Sequence, residues 1–413
     1  MSPTHPTFDP AIGLDLAAAR EVAERERLAQ QRGGNLLTEM EDLRSLEPAY
    51  EERSAAAHGV LILELLRLSA ELGNIAAAHR YADLGSDEEP GPPLETAADS
   101  LSALAPADAV DFLAGEADRT QVMMINEAHH VPQHRAFTLT LLHALRAKGF
   151  RYFAAETLAE ADGDLSRRGY PVALTGPYAS EPVYGDLIRT ALHLGYRVVP
   201  YEALGAEDRE LGQATNLVRR TLAADPAAKI LVHAGYAHIN QSGTLAGKRP
   251  MARQFAEITG IVPLTIDQTV MTEHSAPAYE NPVYRTVAAR GLERPTIFRT
   301  TTGSPWTLEP GKRTATLFHP RTRYEQGRPT WLLMNGRRRM YPLPAEICRG
   351  RLPCLVRARF AAESREAVPI DQVEITAGGS PPALVLPDGI FVVEAESAAG
   401  ALLASFPLRM PPR

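Results

Sequence analysis

The sequence predicts an α/β protein: a central, mainly parallel sheet with helices on both faces, an N-terminal helical section and a small C-terminal antiparallel β domain. Three observations carry this. The middle of the chain alternates short apolar strand-like runs with amphipathic helical stretches, the pattern of parallel strands covered by helices. The N-terminal section shows only the helical period. Beyond about Pro295 that period gives way to short β-like runs.

Residues 11 to 83 hold long patterns rich in Ala, Leu, Glu and Arg, broken near Gly33-Gly34 and at Gly73, which predicts three or four packed helices. Leu72 to Tyr81 is similar to the second helix of a tetratricopeptide unit. Only one such unit is visible, and repeat arrays need about three or more, so a helical cap on the next domain is the simpler expectation. A run at 85–93, GSDEEPGPP, is acidic, proline-rich and turn-prone, and predicts a surface linker.

Strands are expected at Val122–Ile125, Tyr152–Ala155, Arg197–Tyr201, Lys229–Val232 and Ile261–Ile266. Helices are expected between them, at about Gln133–Lys148, Val183–Leu194, Asp208–Ala223 and Arg249–Thr259. Lys148-Gly149 and Leu194-Gly195 are helix-stop signals. In the C-terminal section Trp331–Met334, an Asn335-Gly336 turn and Arg337–Tyr341 predict a hairpin, with later strands at Gln372–Thr376, Ala383–Leu386 and Ile390–Glu394. The domain organisation expected is 1–84 helical and tetratricopeptide-like, 96–292 α/β and catalytic or binding, and 293–413 β-rich.

Composition narrows the function classes. With 413 residues the chain is long enough for two or three domains, and 45% apolar with 23% charged residues is the balance of a folded protein. A formal net charge of -7 argues against a general nucleic-acid binder, which needs a basic surface. No stretch is apolar enough to span a bilayer: Gly59 to Leu72 is interrupted by Glu64, Arg67 and Glu71 and reads as a buried helix. The start, MSPTHPTFDP, has no secretory pattern, so the chain is expected to be cytoplasmic as written, or periplasmic or lipid-anchored if a leader was removed. Cys348 and Cys354 are either a hairpin-closing disulfide or a plain thiol pair.

In an open parallel sheet, ligands bind beyond the carboxyl ends of the strands. Five successive strands end in acids or histidines: Asn126-Glu127-Ala-His129-His130, Glu156, Glu202, His233 with His238, and Asp267. Isolated helix caps and loop charges explain any one of these, but five together predict a site, because carboxylates are rarely buried unpartnered.

The motifs Asn126-x-x-His129 and Gly235-x-x-His238 resemble the paired Gly-x-x-His motifs of the superfamily uniting erythromycin esterases, ChaN-type haem-binding lipoproteins and the Tiki/TraB proteins. Glu127, Glu156 and Arg209 also match that pattern, and the likeness covers roughly Ala109 to Gln268. One departure stands out. Asn126 occupies a position where the family usually has glycine, so it narrows the pocket or adds a hydrogen bond there.

Two schemes use these residues. In the first, His129, Glu156 and His238 ligate a divalent metal such as zinc, manganese or cobalt, with Glu127 as general base or acid on metal-bound water. In the second, which needs no metal, His129 or His238 deprotonates water, Glu127 and Glu156 orient the imidazoles, and Arg135 or Arg209 stabilises the oxyanion. The resemblance to the esterase branch implies the second and that to the Tiki branch the first.

Arg209, at a helix start where a cation is unfavourable, is expected to pair with Glu156 or Glu202. His130, His134 and His233 are weaker candidates; His233, within a strand, reads as a core histidine, while His143 and His193 read as structural or exposed. The segment Thr269–Arg290 is either a lid or a connector.

The leading expectation is therefore a hydrolase of an ester, lactone or amide, acting on a small-molecule or peptide substrate. No Gly-x-Ser-x-Gly elbow offers another mechanism, and no glycine-rich phosphate loop suggests a nucleotide. The ChaN branch implies haem or iron binding instead. A third alternative is an inactive scaffold, with the N-terminal helices as a protein contact.

Overall fold

The computed structural model describes residues 15–32, 34–85, 101 and 104–412. The expected linker at 85–93 lies almost wholly outside them.

The central sheet has eight strands: β1 (Ala105–Asp108), β2 (Val122–Glu127), β3 (Phe150–Ala155), β4 (Arg197–Pro200), β5 (Lys229–Gly235), β6 (Leu264–Asp267), β7 (Thr296–Arg299) and β8 (Ala315–Phe318). Their spatial order is β1-β7-β8-β6-β2-β5-β3-β4. From β8 through β4 every neighbouring pair is parallel, and β7 and β1 are antiparallel additions at one edge. Strand β2 is buried along its whole length, as a central parallel strand covered on two faces must be.

Its alternate residues feed two cores. Met123 and Ile125 pack with helices α6 (Ala109–Glu116), α7 (Pro132–Ala147) and α9 (Pro182–His193), whereas Val122 and Met124 pack with α10 (Arg209–Arg220) and α11 (Met251–Thr259). The short helix α8 (Leu165–Arg168) and helix α12 (Pro282–Ala288) lie in connections. Gly149 and Gly195 take positive φ of 87° and 77° directly after α7 and α9, the left-handed stop that glycine favours.

The helical section is α1 (Leu16–Gln31), α2 (Leu36–Arg44), α3 (Glu47–Glu51), α4 (Ala55–Glu71) and α5 (Ile75–Leu84). It does not simply cap the next domain in sequence. Asn35 Nδ2 donates to Ser397 O (2.9 Å), Gln372 Nε2 to Glu71 O (2.6 Å), and Leu355 joins its apolar core, so much of the docking is on the C-terminal sheet. Asp83 also reaches the α/β region, 2.7 Å from His274 Nδ1. Docking partners so far apart in sequence leave no local signal.

Beyond β8 come two short pairs and one larger sheet: β9 (Tyr324–Glu325) with β10 (Arg328–Pro329), β11 (Arg339–Tyr341) with β14 (Leu384–Leu386), and β13 (Asp371–Ile375), β12 (Cys354–Phe360), β15 (Gly389–Ser397) and β16 (Leu402–Met410) in that order, antiparallel. Two readings of this region are corrected. The stretch after residue 293 does not enter a separate β unit at once, since β7 and β8 complete the central sheet. The Trp331–Tyr341 hairpin is absent: Thr330–Gly336 is 3-10 helical, and the left-handed Met334 and Asn335 (φ 47° and 55°) lie within that segment rather than joining two strands. Cys348 and Cys354 are disulfide-bonded, with Cα atoms 5.9 Å apart. Among the described residues no helix is long and apolar enough to cross a membrane.

Candidate active site

Because β2, β3, β4, β5 and β6 run parallel, their carboxyl ends share one edge of the sheet. Two carboxylates organise it.

Glu127, the last residue of β2, is 2% exposed. Its Oε1 accepts from His129 Nδ1 (2.9 Å) and Arg135 Nη2 (2.9 Å), and its Oε2 from Arg135 Nε (2.7 Å) and His233 Nε2 (2.8 Å). A carboxylate offers about four acceptor positions, and all are filled. Burial alone would raise its pKa, but the Arg135 and His233 charges and the Arg135 and His129 hydrogen bonds hold it well below the usual range. The role expected of Glu127 as a proton-transferring acid or base gives way to that of a fixed anion.

Arg135 is equally committed. It also donates to Glu181 Oε2 (3.0 Å) and to His129 O (2.9 Å), is 1% exposed, and so does not face an opening where an oxyanion forms. Glu181 in turn accepts from Val183 N and Tyr184 N at the start of α9. His233 is the core histidine its strand position predicts, held between Glu127 and Thr138 Oγ1 (3.2 Å).

Glu156 follows β3 and is likewise buried, beside the partly exposed Arg209. Its Oε2 takes the Gly235 N–H and its Oε1 the Arg209 Nη2 (2.7 Å). Burial opposes its charge, yet His238, His129, Arg209 and the Gly235 amide bring its pKa down to about 2. Arg209 also donates to both oxygens of Glu202, two residues beyond β4, at 2.9 and 2.7 Å. Both carboxylates suggested by its place at the helix start are thus partners, while Asp208 caps α10. Three of the five guanidinium N–H groups meet Glu156 and Glu202, and Nη1 lies 3.2 Å from His238 Nε2. The side chain is 36% exposed, and its Nη1 donates to neither Glu156 nor Glu202.

His238 lies in the turn after β5. Its Nδ1 is 2.7 Å from Glu210 Oε1, an ion-pair separation that is off the hydrogen-bond line. Its Nε2 is 3.4 Å from Glu156 Oε1. Burial disfavours the imidazolium, but Glu156 and Glu210 outweigh it and raise the pKa.

His129 stands between the two clusters. Its ring stacks on Tyr178 (4.3 Å between centroids), meets Tyr236 edge-on (5.1 Å), and is 23% exposed. A Cβ on Gly235 would come within 2.5 Å of His129 Cε1, 2.7 Å of Nε2 and 3.0 Å of Glu156 Oε2, so only glycine allows this approach.

The remaining candidates lie aside. Asn126 is fully buried, donating to Asp267 Oδ1 and Tyr236 O (both 2.9 Å) and accepting from Gln268 N; it ties β2 to β6 and does not narrow a pocket. Asp267 pairs with Arg313. His130 meets His79 of α5 edge-on, and burial with neighbouring His79 and His274 pushes its pKa well below the ordinary value. His134 accepts from Ala128 N at Nδ1 and is buried. The segment after Asp267 is a packed connector rather than a lid, with Val270, Met271, Val283 and Tyr284 in one apolar cluster. The segment after β3 brings Tyr178 onto His129, and nothing in its sequence marks it. Glu210, next to Arg209, and Tyr236, inside the second motif, were within reach of the motifs; Glu181 was not.

Among the described residues no group of three His, Cys, Asp or Glu side chains is arranged to hold a metal ion. His129, Glu156 and His238 do not make a ligand set as they stand, because the Arg209 guanidinium sits against both Glu156 and His238, where a cation would be repelled.

No family profile matches the chain, and no curated protein matches it. Two solved structures are similar over part of it. One is described as the structure of the type III effector HopBA1, 18% identical, covering 40% of this chain and 86% of that one, with a TM-score of 0.29. The other is described as bacterial protein toxins, 11% identical, covering 56% and 54%, with a TM-score of 0.30. Neither likeness bears on activity.

Proposed function

We propose that the chain is a hydrolase of an ester, lactone or amide in which His129 acts as general base without a metal. The observation that carries this reading is the Glu127–His129 pair. Glu127 takes the hydrogen bond at His129 Nδ1, and in the neutral ring with its proton on Nδ1 the Nε2 lone pair is the one that can accept a proton. The same logic orients the histidine of an Asp-His pair in serine hydrolases, where the anion steadies the imidazolium that forms.

The reaction balances as follows. Water attacks the substrate carbonyl carbon while His129 Nε2 takes its proton. An Arg209 Nη1 N–H meets the developing oxyanion. Collapse breaks the bond to the alcohol or amine, which leaves with the proton from Nε2. Arg135, His233 and Glu181 are positioning residues for Glu127; Glu202 and His238 do the same for Arg209 and Glu156, and Glu210 for His238.

A panel of chromogenic esters and lactones tests this. Turnover should fall by roughly a hundredfold or more in His129→Ala, the usual scale of general-base loss, with thermal stability kept. Chelator treatment should leave it unchanged. Full activity in His129→Ala sinks the proposal; loss on chelation with recovery on adding zinc, manganese or cobalt favours the metal scheme instead.

A further inference from the structure

A cavity of about 570 Å³ lies apart from the residues above, along the face of α7 that carries Gln133, Ala136, Phe137 and Thr140. That volume is in the range of sites that enclose a small organic molecule. One wall is apolar and partly aromatic, from Phe137, Trp331, Met334 and Leu292. Another carries three guanidinium groups, those of Arg294, Arg321 and Arg323.

Their charges are unequally met. Arg321 is held by both oxygens of Glu280 (2.6 and 2.7 Å). Arg294 Nη1 is 3.8 Å from Asp108 Oδ2, and the Arg294 side chain is largely exposed. No ion pair engages Arg323 among the described residues, and Asp108 and Glu293 are the acids of the lining. An aromatic face beside incompletely neutralised arginines suits a planar acid, because guanidinium groups bind carboxylate or sulfonate strongly and the rings give the apolar body a surface to stack on.

We propose that this cavity is a second binding site, separate from the His129 crevice, for a small aromatic acid. The apolar body lies on Phe137 and Trp331, and the acid group meets Arg323 and Arg294.

Trp331 supplies the readout, since the chain has only two tryptophans, Trp306 and Trp331. Titration of the full chain with anilinonaphthalene sulfonate, an aromatic acid, should saturate at one molecule per chain with energy transfer from tryptophan. That transfer should drop in Trp331→Phe while binding persists. Neutral phenylnaphthylamine should bind at least roughly tenfold more weakly, and the Arg294→Ala/Arg323→Ala variant should lose about the same factor for the sulfonate, the scale of a charge-assisted contact. Thr140→Trp, which fills the cavity from α7, should abolish the site. Energy transfer unchanged in Trp331→Phe, or sulfonate binding unchanged in a folded Thr140→Trp, overturns the site. Equal affinity for the neutral probe overturns its preference for acids.

Discussion

The two carboxylate clusters at the edge of the sheet use the same residue types to opposite ends. Around Glu127 everything is closed: Arg135 is buried, His233 lies within a strand, and all four acceptor positions of the carboxylate are taken. Around Glu156 the cluster opens to solvent through Arg209, which is 36% exposed. His129 belongs to the first through Nδ1 and faces the second through Nε2. The difference teaches that buried ion pairs here form a rigid base, and that reactivity is expected only where one group of that base reaches water.

The largest test of this contrast removes each arginine. Arg135→Ala removes the guanidinium that both Glu127 and Glu181 face in the interior, a change that costs about 3–5 kcal/mol, whereas Arg209→Ala should cost less than half of that because solvent can enter the space the 36% exposed Arg209 leaves beside Glu156 and Glu202. Urea unfolding of both variants measures it, and equal losses would erase the distinction between closed and open clusters.

A second test concerns pH. Glu156 has its pKa lowered from 4.5 to about 2, so its contribution to stability is complete above about 4.5 and is lost as pH falls toward about 2. The stability gap between the native chain and Glu156→Gln should therefore be widest near neutrality, at most about 3 kcal/mol, and close on acidification. A gap that stays constant down to the acid limit means that Glu156 is not held ionised by its neighbours.

A third test is Gly235→Ala. Its methyl group would press on the far end of the His129 ring and on Glu156 Oε2, so overpacking should cost about 1–3 kcal/mol, while turnover falls further than stability does. Unchanged kcat in this variant would show that the His129 position relative to Glu156 is unimportant, and would break the link between the clusters.

Much of this arrangement was legible before any coordinates. The alternation of apolar runs located the strands β2 to β6, and Lys148-Gly149 and Leu194-Gly195 located two helix ends. Once the strands are parallel, Glu127, Glu156, Glu202, His238 and Asp267 must all emerge on one edge. Arg209 also announced a partner by being a cation at a helix start. Other features were out of reach. The Asn335-Gly336 pair has the chemistry of a hairpin turn, yet left-handed residues also occur within a 3-10 segment, and local propensity does not choose between them. Nor does any local pattern say that β7 and β8 belong to the central sheet.

What the sequence by itself determined is periodic and local: which stretches are strands or helices, which ends carry charge, and that His129 follows Glu127 closely enough to bond it. Only the tertiary structure decided who partners whom. His233 reaches Glu127 across 106 positions, Arg209 reaches Glu156 across 53, and Arg313 reaches Asp267 across 46. The reason is physical. A buried charge is stabilised by whichever opposite charge or donor the packing brings within about 3 Å, and that distance is set by how the sheet and its helices stack, not by spacing along the chain.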